Sequence, residues 1–426
     1  MKTPSIFYTK TKSLLNRLIL LLLLLGSNTS LLFGQNASYI EYKGQVTDAT
    51  SGKPIPEVHL SIENTNISSV ANTNGVFNLR VPKEHEQRVV RFSKINYDSK
   101  SVQLSFFDDN YTEITLVPTI LKAEELDEVE VYRAIDPRVI VANFLRKQRP
   151  SQEKLVGFYR EKIDKGRHNV MLGEAVVQID KEKSIQGNKG EISVYKSRKT
   201  TDYNRLDTLA VKLRGGPYSA LHQDLASYPE FLFHDFDTKL YQFSFKEPTT
   251  INSRYIYVIH FEQVNKSSPY YYGTMYIDAK SNALVKLEYN LNVDDRKAAA
   301  EMLVAKKPRR VTVTPLEVSY LVEYIEKEDQ WYYNYSRFFI DLRVNWKGKL
   351  FNSRYAVHTE MAITDRSEEA FFPKEKLTRI KSSVVMIDDI TGFGDPEFWG
   401  ANNTIHPDKK LQEVMEAIQD KIKKEK

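Results

Sequence analysis

"GQVTDATSGKPIPEVHLSIENTNISSVANTNGVFNLRVP", Gly44 to Pro82, decides the first part of the fold. Val58, Leu60 and Ile62 alternate with Glu57, His59, Ser61 and Glu63, the period of a strand with one apolar face. Ser51-Gly52-Lys53-Pro54 and Thr73-Asn74-Gly75 are tight turns, because Gly tolerates positive φ and Pro presets φ. Val76 to Val81 resumes the alternation. Outward from this stretch, Tyr39 to Val46, Val89 to Ser93, Ser101 to Leu104 and Glu113 to Val117 keep the rhythm. Short strands at this spacing predict a small antiparallel sandwich.

The same residues resemble the carboxypeptidase regulatory-like domain, a transthyretin-like sandwich common in exported proteins of the Bacteroidota. That family reads G-x-V-x-D, then T-G-x-P-I, then T-D-x-x-G-x-F. Here Ser51 replaces the usual Thr, and Asn72 stands where an Asp is usual, which removes a carboxylate from the turn. The resemblance implies an accessory domain without peptidase activity. "AEELDEVEVY", Ala123 to Tyr132, resembles the segment that follows such domains in outer-membrane receptors. Its alternation of Val and Glu equally fits one more strand.

Upstream, Lys2, Lys10, Lys12 and Arg17 precede the apolar run Leu18 to Leu25, followed by small polar residues. This is the pattern of a secretory signal peptide over residues 1–35. Those four cations supply most of the formal charge of +5, so the remainder is nearly neutral and nothing favours nucleic acid. The chain has no cysteine, hence no disulfide and no lipidated thiol. The expectation is an exported protein, periplasmic or outer-membrane associated and not a lipoprotein, without a transmembrane span once the signal is cleaved.

Downstream, Asp136-Pro137 caps a helix with an apolar stripe through Val139, Ile140, Phe144 and Leu145. From Gly157 the chain is rich in long aromatic strands. Arg254 to Phe261, Tyr271 to Ile277 and Ala283 to Leu291 should pair as a meander, with Glu317–Ile325, Gln330–Val344 and Leu350–Thr364 as a second set. Ala283, Val285, Leu287, Tyr289 and Leu291 should share one face. Helices are expected over 217–226 and 294–307, and an amphipathic helix over 407–426 packs Leu411, Val414, Met415, Ile418 and Ile422 on the sheet. Trp399, in "DPEFW", is expected as a buried anchor. "YYGTMYIDAKSNALVKLEY" resembles the sheet of envelope lipoprotein-carrier folds, in which a curved sheet wraps a helix and leaves an apolar hollow. "FYRE", "GEAVV", "GTMYID" and "DPEFWGANNTIHP" resemble, in order, Bacteroidota exported proteins that join a regulatory-like domain to a long β domain. The fold expectation is mainly β: a seven-stranded transthyretin-like sandwich at 36–132, a linker helix within 133–156, and an antiparallel-sheet α+β domain at 157–406 with a few covering helices.

The chemistry is sparse. The eight histidines show none of the spacings of a zinc site, and cysteine nucleophiles, a G-x-S-x-G elbow and phosphate-binding glycine loops are absent from the sequence. His234 with Asp235 and Asp237 is the most metal-like group, and Asp207-Thr208-Leu209 matches a short glycosylation pattern. No cofactor or metal is expected. The basic run Ala305 to Arg310 reads as a solvated helix end or as a contact to anionic headgroups. Tyr271, Tyr272, Leu287, Tyr289, Trp331 and Tyr333 are the candidate ligand-facing residues. The leading expectation is a non-catalytic envelope protein that binds or scaffolds, through a protein partner or an apolar ligand. The alternatives are a carrier of a lipid or acyl chain in a hollow of the second domain, and an unrecognised hydrolase.

Overall fold

Seven strands among the described residues build the N-terminal sandwich: β1 (Tyr39–Asp48), β2 (His59–Ile62), β3 (Ser68–Val70), β4 (Val76–Pro82), β5 (Val89–Ser93), β6 (Lys100–Gln103) and β7 (Thr112–Leu116). One sheet is ordered β4-β1-β7 and the other β3-β2-β5-β6. Val46, Leu60, Phe77, Leu79, Val90, Phe92 and Ile114 close the core between them. The sequence motif has a packing reason. A Cβ on Gly44 would lie 1.9 Å from the Thr112 carbonyl oxygen and 2.6 Å from the Phe77 ring, so only glycine admits both. Gly75, at φ +69°, makes the turn that delivers Phe77. Asp48 ends β1 by accepting from the amides of Thr50 and Ser51 at 2.9 and 2.6 Å. One pairing departs from the all-antiparallel expectation: β1 and β7 run parallel, Gly44 beside Thr112.

The structure is a computed structural model that describes residues 39–108, 111–119, 135–147, 153–184, 187–202, 212–213, 216–233, 238–367, 371–380, 391–395 and 397–425. The signal segment, "AEELDEVEVY", the His234 group and Asp207-Thr208-Leu209 lie outside those residues.

The second domain is one antiparallel sheet, twelve-stranded among the described residues. In chain order its long members are β8 (Glu153–Lys165), β9 (His168–Ser184), β10 (Gly187–Thr201), β14 (Arg254–Gln263), β15 (Tyr271–Asp278), β16 (Leu284–Leu291), β18 (Val311–Lys327), β19 (Gln330–Trp346) and β20 (Ser353–Asp365). Shorter β12 (Tyr241–Phe245), β13 (Thr249–Ile251) and β21 (Thr378–Arg379) sit at its ends, and β11 (Lys212–Leu213) pairs apart with β17 (Val304–Lys306). The spatial order is β12-β14-β15-β16-β18-β19-β20-β8-β9-β10-β21, with β13 also on β14. The meander from β14 to β20 follows the chain: short turns join β14 to β15, β15 to β16, β18 to β19 and β19 to β20, and the longer connection 292–310 joins β16 to β18. The join of β20 to β8 crosses about two hundred residues of sequence, Met361 facing Tyr159.

One face of this sheet is apolar. It carries Tyr159, Val177, Ile259, Phe261, Met275, Leu287, Val322 and Met361. Three helices cover it. Helix α1 (Pro137–Lys147) starts at Asp136, whose carboxylate accepts from the Arg138 amide, and buries Ile140, Val141, Phe144 and Leu145. Helix α2 (Pro217–Leu221) is shorter than expected and runs into turns that carry Leu225, Tyr228 and Phe233 into the same core. Helix α3 (Arg296–Leu303) is capped by Asp295, which accepts from the Lys297 and Ala298 amides. It stops at Val304, where β17 begins, so the basic run 305–310 is strand end and turn rather than helix.

A bulge corrects the expected facing of β16. Tyr276 pairs with Lys286 but Ile277 with Leu284, which leaves Val285 as the extra residue. Leu284, Leu287, Tyr289 and Leu291 enter the apolar core, whereas Val285 turns to the opposite face and packs with Ile95 of the sandwich, Ile251 and Ile256.

That opposite face carries the sandwich and the C-terminal segment. Helix α4 (Lys409–Glu425) packs Leu411, Val414, Met415, Ile418 and Ile422 with Leu172 and Phe393, as its spacing predicts. Trp399 is buried edge-on against Phe158, ring centres 5.6 Å apart. Among the described residues no helix is long and apolar enough to cross a membrane.

Candidate functional site at the seam

His59, on the polar side of β2, lies on the sheet, not in solvent. His59 receives the Asn334 amide at Nδ1 (2.8 Å) and reaches Glu323 with Nε2 (2.8 Å). With Asn334 donating, the ring carries its proton on Nε2, and a neutral imidazole satisfies both partners. Lys94 of the sandwich places its ammonium 2.8 Å from Glu323, and Lys286 approaches to 3.6 Å. Arg337 meets Glu57 at 2.6 Å. Burial works to raise the Glu323 carboxyl, but Lys94, His59 and Lys286 outweigh it and hold the group well below the usual carboxylate range. A carboxylate so deeply buried is tolerable only with this set of partners.

The segment after Trp399 straps the two domains together. Asn403 accepts from the Arg80 amide (2.7 Å) and donates to the Arg80 carbonyl (2.9 Å), doing with a side chain what a neighbouring strand would do. Arg80 also donates to the Gly400 carbonyl at 2.6 Å. The Asn72 amide donates to the His406 carbonyl at 3.1 Å, while its Oδ1 accepts from the Asn74 and Val76 amides. An Asp at 72 would keep the turn bonds but lose that donor. Under the strap, Arg160 joins Glu174, Glu360 and the Ile405 carbonyl at 2.6, 2.6 and 2.7 Å.

Beside the locked seam lies a cleft of about 340 Å³. Its walls are the β2–β3 turn, Arg91, the β18–β19 hairpin, Tyr332 and Arg366. Glu63 accepts from Ser101, Glu326 lies on Asn252 and Arg254, and Lys327 donates to Asn66. Arg366 is different. It donates to the Tyr333 carbonyl and to Asn334, its Nε is buried without a partner, and it forms no ion pair among the described residues. Burial pulls its guanidinium below the ordinary value, yet an arginine stays charged. A cation beside a cleft with an unused donor is a place for an acidic group.

The six residues chosen from sequence are divided by the structure. Tyr271, Leu287, Tyr289 and Tyr333 are buried on the apolar face. Tyr271 and Tyr289 meet edge-on at 5.5 Å, within a group of rings that includes Phe231, Tyr320 and Phe338. Tyr289 stacks on Tyr320 at 4.6 Å, and its hydroxyl is buried without a partner. Burial pushes the Tyr271 phenol up to about 12. Tyr333 instead donates to the Ala220 carbonyl. Trp331 donates to Asp278 near the sheet's sandwich side, and Tyr272 is exposed. Sequence reading missed Arg366, Glu323 and Lys94. Their partners lie up to 264 residues away, so no local spacing marks them. No group of three or more His, Asp or Glu among the described residues is placed to hold a metal ion.

Residues 42–131 match the family model of the CarboxypepD_reg-like domain, and the N-terminal sandwich is such a domain, a non-catalytic one. No curated protein sequence matches the chain. Solved structures similar to it include a LolA superfamily protein from Nitrosomonas europaea (9% identity, 57% of this chain and 99% of that one, TM-score 0.22). Another is a putative outer membrane lipoprotein-sorting protein domain from Vibrio parahaemolyticus (12%, 55% and 93%, TM-score 0.26). A third is the Pseudomonas aeruginosa MucA/MucB complex (9%, 52% and 92%, TM-score 0.17).

Proposed function

We propose that the protein is a non-catalytic, exported envelope protein that works as a binding or scaffold module, with the seam cleft as its ligand site. The observation that carries the reading is Arg366, a half-buried arginine whose Nε is buried and without a partner, beside a cleft whose walls come from both domains. The strap and the Glu323 network hold those walls in fixed relation, which is what preorganised binding requires. The ligand is a polar, extended molecule with an acidic group for Arg366. Calorimetric titration of the full chain with succinate and with a short glutamate peptide tests it. Saturable binding that Arg366→Met abolishes, with unchanged melting temperature, is expected. Absence of saturable binding to both probes, or equal binding by the variant, removes the reading.

A second reading rests on the Tyr289 hydroxyl, buried and unpartnered among rings that include Tyr271 and Tyr320. An orphan hydroxyl in an apolar wall is a handle for the carboxyl of an acyl chain. A fluorescent fatty acid would then bind saturably, and Tyr289→Phe would weaken it while Arg366→Met would not.

A further inference from the structure

Most large exposed apolar side chains on this protein stand singly. Leu350 and Phe351 do not: adjacent at the tip of the β19–β20 hairpin, they are 95% and 85% exposed. The hairpin is held from below. Lys347 donates its amide to the Arg310 carbonyl, and Lys349 closes the turn on the Trp346 carbonyl, both at 2.9 Å. Gly348, at φ +96°, permits the reversal.

Three connections meet at this end of the sheet. Val311 pairs with Trp346, which puts the 305–310 run beside the hairpin. Tyr355 pairs with Lys165, and the Gly166 amide donates to the Arg354 carbonyl, which puts the β8–β9 turn on the other side. Residues 165–170, 305–314 and 342–355 contain two, four and four Lys or Arg, and no Asp or Glu. Lys306, Lys307, Arg309, Arg310, Lys347 and Lys349 are exposed. Of the carboxylates near this end, Asp341 is engaged by Arg354 and Asp164 by Lys162 and Lys410, Glu317 lies in the row of Asp341, and Asp202 follows β10 beside Val170. At roughly 4.8 Å per strand, the collar spans about 20 Å around a two-residue apolar tip.

The geometry points to this end of the sheet as a docking surface for an anionic lipid bilayer, with Leu350 and Phe351 entering the acyl region and the basic collar lying among the headgroups. Trp346, half-buried at the root with the Lys349 ammonium 5.7 Å from its ring, sits where aromatic residues favour the interface. The charge complement selects the partner. A protein groove would accept the apolar pair, but a collar of ten Lys and Arg on three connections, in excess of the carboxylates beside it, matches a surface of repeated anions. Each apolar residue that inserts contributes roughly tenfold or more to partitioning, and each headgroup-level cation about fivefold. The inference is independent of the seam cleft, which lies beside the other, β18–β19 end of the sheet.

The absence of cysteine makes a local test possible. Full-length Asn352→Cys carries a polarity-sensitive dye at the tip, and Ser101→Cys carries it on the sandwich. Each is mixed with phosphatidylcholine vesicles with and without phosphatidylglycerol. The tip dye is expected to shift to the blue only with phosphatidylglycerol, to reverse in high salt, and to be insensitive to whatever the N-terminal apolar run does. Leu350→Ser with Phe351→Ser should lower the affinity read at the tip at least tenfold, and Lys347→Glu with Lys349→Glu should abolish the lipid preference. A tip dye that does not respond, that responds equally to both vesicles, or that shifts together with the Ser101→Cys dye overturns the proposal. So does a shift in vesicle-free protein that grows with concentration, which would mean a second copy covers the tip.

Discussion

The two faces of the large sheet are covered by different chemistry. The helix-covered face is closed by aliphatic and aromatic side chains, with Lys181 and Asp224 a rare buried pair at 2.7 Å. The sandwich-covered face adds to its apolar packing, in which Val70, Phe158, Leu321, Tyr335 and Trp399 meet, a network of buried charges and amides: Glu323, His59, Lys94, Asn334, Arg160, Glu174 and Asn403. Apolar contact is non-directional and tolerates sliding, so it builds a core but does not fix an orientation. A buried carboxylate that needs three cations or donors in place has one acceptable arrangement. The first face makes the domain; the second sets where the sandwich stands on it.

This contrast can be broken from the polar side first. Glu323→Ala should cost about 4 kcal/mol, because Lys94 and Lys286 remain buried without their carboxylate. Chemical denaturation would show it, and a cost under 1 kcal/mol would mean that water already serves the seam. On the apolar face, Leu287→Ala should cost about 3 kcal/mol through lost burial and the cavity left behind. The two should differ in kind: the first should loosen protease protection at the strap before global unfolding, the second should lower stability with the strap intact.

Acid sharpens the comparison. The folded Glu323 carboxyl lies below its unfolded value, so its contribution is fully present above the ordinary glutamate range. It is lost as pH falls through the depressed folded value. Stability of the wild type should therefore fall on acidification below that range, and Glu323→Gln should flatten the slope. A smaller effect, about 1–2 kcal/mol, is expected for Asn72→Asp, which exchanges the donor to the His406 carbonyl for a carboxylate oxygen. Smallest of all, Leu350→Ser with Phe351→Ser should leave the unfolding free energy within about 0.5 kcal/mol of wild type, since both side chains already face water.

The difference between faces also governs what the sequence discloses. The sandwich was legible because its core residues alternate locally, its turn needs Gly75, and its first strand needs Gly44 where Thr112 and Phe77 approach. The β14–β16 meander was legible because polar turns join neighbours. The pairing of β20 with β8 was not, because strands about two hundred residues apart in sequence carry no local mark of their antiparallel register. Val285 was misplaced because a bulge costs one residue of alternation and leaves no mark in composition. His59 read as a solvent-facing residue, which is what an alternating strand implies until a second domain covers it. Of the candidate ligand residues, the aromatic ones were chosen by type, and type does not tell a wall from a core. Arg366 was passed over, as one cation among many in a charged chain.

The strap has a consequence for the order of assembly. Arg80 waits for Asn403, and Asn72 for His406, across more than three hundred residues. A chain delivered with its N-terminus first can finish the sandwich core early, since that core draws on residues 46–116. Docking must wait until the strap has arrived. During that wait the undocked sandwich shows Glu57, His59, Lys94 and Asn72 to its surroundings, interspersed with Val70 and Ile95. Charges set among the few apolar residues of the docking face thus let an unfinished molecule idle with less tendency to aggregate, and leave completion of the seam to a segment made more than three hundred residues later.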